Sequence, residues 1–213
     1  MFKFMTCQNF KDSLREGIYH EIGHVIGTWL CFPHEERLRG ICLKMNPNGS
    51  YGLCVEYIED IKFDYRTQLD AFTCSSLAGG VFQQMKNVQL SLNKGQLKYS
   101  LIETLVNHFN KDRAFLMFIY RNVNPYDKGM DKDNSTLKNI YDKLREENYI
   151  KHRLDINKST KNCISLLLPF INRPEIDSLC EYCLNEFWKG GQCGVPQIEV
   201  DTKTIKVFIG CLF

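Results

Sequence analysis

Residues 20–24 read His20-Glu21-Ile22-Gly23-His24, two histidines four positions apart with a glutamate beside the first. On a helix, positions i and i+4 share one face, so both imidazoles can reach a single ion. Glu21 stands next to that face and can act as general base on a water activated there. The pattern points to a zinc site built for hydrolysis. Its surroundings are helical in period: Leu14, Ile18, Ile22, Val25, Ile26, Trp29 and Leu30 recur at spacings of three and four. Asp12 or Ser13 is the expected N-cap, with Glu16 three residues after Ser13 as in a capping box. The helix is expected over residues 12–31, ended by Pro33. The competing reading is an amphipathic helix whose histidines are merely buried.

Working outward, Arg39-Gly-Ile-Cys-Leu-Lys-Met45 and Tyr51-Gly-Leu-Cys-Val-Glu-Tyr57 flank the turn-rich Asn46-Pro-Asn-Gly-Ser50, which predicts a β-hairpin. A second helix is expected from Tyr65 to about Gln84, with Leu69, Phe72, Thr73, Leu77 and Phe82 available for burial. It carries Ser75-Ser-Leu-Ala-Gly-Gly80, a string of small residues that would let another helix approach closely. Asn93-Lys-Gly95 breaks the pattern, and a long helix is expected over about 96–121. Residues 122–133 read as loop, because Asn124-Pro-Tyr-Asp-Lys-Gly129 is rich in turn formers. Further helices are expected over Ser135–Tyr149 and Glu175–Trp188, and Ile205-Lys-Val-Phe-Ile209 reads as a final strand.

The 213 residues suffice for one sizeable domain, or one domain with an appendage. With 27 basic and 25 acidic side chains the net charge is only +2, which supplies no field for nucleic acid or acidic lipid. No apolar run reaches membrane-spanning length. The opening Met1-Phe-Lys-Phe-Met-Thr-Cys7 lacks a signal peptide's apolar core and cleavage site. A soluble, cytoplasmic protein without nucleic-acid or membrane partners is expected. Its ten cysteines, five of them scattered singly through the first 75 residues, then read as reduced thiols.

Tyr19-His-Glu-Ile-Gly-His-Val25 resembles the zinc-binding helix of the FtsH-type metallopeptidases. The order of later features is similar too: a short hairpin through Gly52, then a helix with Leu77-Ala-Gly-Gly80, which looks like that family's small-residue segment. Where the family continues with Ala-Ala-Glu-Glu, this chain has Val81-Phe-Gln-Gln84. The resemblance covers residues 12–85 well and 125–145 weakly. It implies an α+β, mostly helical metallopeptidase domain over residues 1–150, with a small β-hairpin or sheet after the zinc-binding helix. Residues 151–213 would form a C-terminal helical, cysteine-containing appendage. Only nineteen residues precede His20, so the membrane segment and ATPase module of those proteases are expected to be absent.

The family's third ligand is an aspartate in a G-x-x-N-D context before a helix. Gly129-Met-Asp-Lys-Asp133 has the same spacing, with Lys132 in place of the asparagine. The resemblance therefore assigns Zn2+ to His20, His24 and Asp133, with Asp131 and Glu103 as alternatives to Asp133, and makes Glu21 the catalytic base. The implied activity is hydrolysis of peptide bonds in unfolded segments, exposed termini or a dedicated partner protein. The strand near residues 51–57 is a candidate edge for pairing with an extended peptide. An alternative is a catalytically inactive FtsH-like binding module with a structural metal on Cys180, Cys183, Cys193 and Cys211. A third is a metal-dependent hydrolase acting on a non-peptide substrate. His34, His108 and His152 read as surface or internally satisfied histidines.

Overall fold

The computed structural model describes residues 7–33, 37–45, 51–58, 64–93, 119–127, 130–192 and 195–213. Helix α1 (Cys7–Cys31) is followed by strands β1 (Leu38–Met45) and β2 (Tyr51–Tyr57) and helix α2 (Leu69–Asn93). Then come α3 (Asp131–Glu146), α4 (Ile156–Leu167), α5 (Pro174–Gln192), β3 (Gln197–Asp201) and α6 (Thr202–Ile209). The result is a mostly helical α+β fold around a three-stranded antiparallel sheet ordered β2-β1-β3. Among the described residues no helix is long and apolar enough to cross a membrane.

The core is the seam between α1 and α2. Most of the stripe expected on α1 is buried: Leu14, Ile18, Ile22, Val25 and Ile26 are sealed from solvent in one cluster with Leu77, Ala78, Val81, Phe82 and Met85, while Trp29 and Leu30 are half-buried at its edge. Glycine at position 23 permits this approach, since a Cβ there would lie 2.5 Å from the Ala78 carbonyl oxygen and 2.7 Å from Phe82 Cβ. The small-residue string on α2 thus has the use its sequence suggested. Ile41 and Leu43 bring the sheet onto the same core. The residues after 150 join it as well: β3 pairs with β1, and Cys163, Ile164, Leu184, Phe187, Ile205 and Ile209 belong to the same buried cluster.

Several expected boundaries move. α1 begins at Cys7, because neither proposed cap is used as one: Asp12 pairs with Arg15 at 3.4 Å, and Ser13 Oγ lies 3.1 Å from the Tyr51 hydroxyl. α2 begins at Leu69 and runs on to Asn93. The Asp64 carboxylate instead holds a turn, accepting from Arg66 N at 3.1 Å and Thr67 Oγ1 at 2.7 Å. The expected loop 122–133 ends early, since α3 starts at Asp131.

The apolar run Ile205–Ile209 is helix, not strand. The Asp201 carboxylate caps it by accepting from Thr204 N at 2.8 Å, and Ile205 and Ile209, one turn apart, are buried together. The strand lies immediately before it, at Gln197–Asp201. Helix α4 was not foreseen, although Asp155 caps it by accepting from Lys158 N at 3.0 Å. Residues 119–122 are helical, whereas the rest of the helix expected over 96–121 lies outside the described residues.

Candidate metal centre

The α1 period turns His20 and His24 to one side of the helix, where the N-terminal turn of α3 meets them. The two Nε2 atoms lie 3.1 Å apart. Asp133 Oδ2 lies 3.5 Å from the first and 3.6 Å from the second. His20, His24 and Asp133 are one of two groups of three donors in which every pair of donor atoms lies within 4.8 Å, among the described residues. The ring positions are held from behind. His24 Nδ1 donates to the Ser75 carbonyl at 3.0 Å, and His20 Nδ1 donates to Gln83 Oε1 at 3.1 Å.

This fixes both tautomers. With each Nδ1 proton committed, two Nε2 lone pairs and a carboxylate oxygen converge, an arrangement that calls for a cation or a proton among them. Two imidazole nitrogens and a carboxylate are also a donor set that catalytic zinc takes. The residues present fit the ion.

Asp133 arrives because α3 is anchored to α2. Gln84 Nε2 donates to the Asn124 carbonyl at 2.9 Å, and Asn124 N donates to Gln84 Oε1 at 2.6 Å. Asn134 Nδ2 donates to the Pro125 carbonyl at 2.6 Å, and the Thr73 and Tyr141 hydroxyls lie 3.1 Å apart. Gly79 is required beside the rings, since any Cβ there would overlap the His24 imidazole. Asp131 sits in the same turn of α3 but is exposed and outside the donor group. Glu103, His34 and His108 lie outside the described residues. His152 is exposed, its ring edge-on to Tyr141.

Glu21 is 7% exposed and lines the same cleft, about 340 Å³ in volume, with Leu53, Cys54, Val55, Tyr57, Phe72 and Lys132. Its carboxylate makes no hydrogen bond among the described residues, so its oxygens are available to a molecule in the cleft. β2 is an edge strand of the sheet, and it forms one wall of this cleft. A larger cavity, about 850 Å³ between Trp29, Leu38, Ile58 and Phe213, has only Lys203 and Lys206 as charged described lining residues.

Burial lowers the His20 pKa, but the hydrogen bond and charge of Asp133, the charge of Glu21 and the Gln83 contact outweigh it. The group ends above its ordinary 6.5. In the metal-free protein the folded state therefore holds this proton more tightly than the unfolded chain. The corresponding stabilisation is complete below pH 6.5 and is lost as pH rises through the folded value. Zinc must displace that proton, so its own stabilisation has the opposite sign. Melting curves should show the zinc-induced gain in Tm growing as pH rises from 6.5. A gain that shrinks over that interval contradicts the shared site.

Gln83 and the Ser75 carbonyl were not singled out from the sequence. Gln83 lies one helical turn beyond Gly79, on the face that meets α1, and that spacing was the available signal. Gln83→Ala should weaken zinc binding by about ten- to a hundredfold while leaving the fold intact. Competition with a chelator of known affinity measures this, and an unchanged affinity would show that Gln83 does not orient His20.

The other three-donor group, Cys42, Glu56 and Glu199, lies on the sheet face opposite Ile41 and Leu43. Its carboxylates are already paired, Glu56 with Lys44 at 2.6 Å and Glu199 with Arg39 at 3.3 Å. The eight cysteines whose side chains are described are free thiols. Cys180 and Cys183 are sealed in the core, Cys211 is exposed, and Cys193 lies outside the described residues. Neither Cys180 nor Cys183 belongs to a three-donor group among the described residues. Comparison with protein-family models, with curated proteins and with solved structures finds no match for this chain.

Proposed function

We propose that this chain is a zinc-dependent metallopeptidase that hydrolyses peptide bonds in unfolded segments or in a dedicated partner. The observation carrying the reading is the convergence of His20 Nε2, His24 Nε2 and Asp133 Oδ2 beside a buried carboxylate with no hydrogen-bond partner of its own among the described residues. His20, His24 and Asp133 would hold the ion. Zinc, when bound, supplies Lewis acidity that activates water near neutral pH and polarises the scissile carbonyl.

The chain's own groups supply the rest. Glu21 accepts the proton of the attacking water and returns it to the departing amine. Gln83 and the Ser75 carbonyl keep both Nε2 lone pairs turned inward. The edge of β2, unpaired among the described residues, offers backbone donors and acceptors to an extended peptide, and Leu53, Val55, Tyr57 and Phe72 line its path. An edge strand accepts only chain that is already extended, which favours unfolded segments over folded domains.

Zinc content together with peptide hydrolysis tests the proposal. One zinc per chain in the parent, lost in His20→Ala and His24→Ala along with hydrolysis of an unstructured peptide, is the expected result. Zinc that survives both substitutions, or a zinc-loaded parent that cleaves no peptide, overturns it.

A further inference from the structure

The charged side chains lining the cleft are His20, Glu21, His24, Lys132 and Asp133, among the described residues. Four of them have work in the reading above, and Lys132 does not. It occupies the first turn of α3, where the positive end of the helix dipole disfavours a cation. Asp131 and Asp133 on either side offset that cost. Its backbone carbonyl accepts from Ser135 Oγ at 2.8 Å and Thr136 Oγ1 at 2.9 Å, but its ammonium has no carboxylate partner among the described residues. The charge is felt on the edge strand: burial raises the Cys54 thiol, and the ammonium groups of Lys44 and Lys132 pull the other way. Lys132 thus stands on the cleft wall close to β2 as a cation with no carboxylate partner among the described residues, beside the path of an extended chain.

We propose that Lys132 selects substrates bearing a carboxylate within a residue or two of the scissile bond. The carboxylate is either an acidic side chain or the substrate's own C-terminal group. This rests on the peptidase reading of the same cleft. The two native carboxylates there are committed, Asp133 to the donor group and Glu21 to proton transfer. A carboxylate arriving on the substrate therefore has Lys132 as its partner. Lys132 is itself exposed, so the contact is a charge-assisted surface pair that salt screens.

Three matched peptides test this: a neutral one with an amidated end, the same peptide with one glutamate, and the neutral peptide with a free C-terminal acid. In the zinc-loaded parent, at least one carboxylate peptide should exceed the neutral amide in kcat/KM by about three- to fivefold. Which one does so identifies the source of the carboxylate. Lys132→Met should flatten the preference to within about twofold, Lys132→Glu should reverse it towards a lysine-bearing peptide, and Lys132→Arg should keep it. Fluorescent versions binding to Glu21→Gln give a readout independent of turnover, and the preference there should fade as salt screens it.

Cleavage of all three peptides at one rate, or a preference that persists in folded Lys132→Met, overturns the role of Lys132 and leaves the peptidase reading intact. No cleavage of any peptide overturns the peptidase reading and this inference with it. Equal binding of the three peptides to Glu21→Gln overturns the inference by itself.

Discussion

Glu21→Gln is expected to keep its zinc and lose peptide hydrolysis by about a hundred- to ten-thousandfold. The amide has nearly the shape of the carboxylate but cannot accept the water's proton at neutral pH. The side chain is 7% exposed and engages no hydrogen bond among the described residues, so the exchange breaks no internal contact. It also removes the Glu21 charge, one of the groups that hold the His20 proton. The expected pattern is therefore unusual for a substitution at a buried site: little-changed Tm, unchanged zinc content and collapsed kcat/KM. Paired measurement of metal content and turnover on one peptide checks it. Turnover equal to the parent's would remove Glu21 from the chemistry whatever the metal does.

The second large effect lies behind the site, where Tyr19, the residue before His20, meets α2 and α5. The Lys86 side chain is 1% exposed, and its ammonium lies 2.6 Å from Asp177 Oδ1 and 3.2 Å from Gln89 Oε1. The Tyr19 hydroxyl donates to the same Asp177 oxygen at 2.9 Å, and the ammonium lies 5.3 Å from the centre of the Tyr19 ring. Removing one partner of such a pair strands the other, whereas replacing the buried cation by an apolar side chain of similar length does not. Because the Asp177 side chain is half exposed, Asp177→Ala should cost about 2 kcal/mol, lowering Tm by about 4–8 °C for a chain of this size. Lys86→Met should change stability by no more than about 1 kcal/mol in either direction. The two variants compared by denaturant unfolding give the check. Equal losses would mean that the pair acts through packing alone and not through its charges.

What the sequence made legible was local periodicity. The stripe on α1 depends on residues three and four apart, so Leu14, Ile18, Ile22, Val25 and Ile26 could be assigned to the core before any partner was known. The same holds for the hairpin, whose turn-rich centre separates two β-prone runs. Ser75–Gly80 could be read as a place of close helix contact, although which helix fills it is a tertiary fact.

The errors came where local signals compete. Ile205–Ile209 is a short apolar run, which periodicity cannot divide between strand and helix; the Asp201 cap three residues before Thr204 was the deciding sign. Ser13 and Asp12 resemble caps, but Tyr51 and Arg15 engage them sideways and the helix continues past them. Asp133 was reached only through resemblance. Its approach to His20 and His24 depends on Gln84, Asn124 and Asn134 anchoring α3, contacts far apart in the chain. Gln83 stands where the resembled family has a different run. In this chain the neutral amide oxygen holds His20 Nδ1, which leaves Asp133 as the carboxylate beside the two rings.

The most direct test of the account is a crystal structure of the zinc-soaked protein, with anomalous scattering recorded at the zinc edge. The account predicts a single strong peak bounded by His20 Nε2, His24 Nε2 and an Asp133 oxygen, with Glu21 beside it and both Nδ1 contacts retained. A peak at the Cys42, Glu56 and Glu199 group or at Cys180 and Cys183 instead, or no peak between the two imidazoles, would contradict it.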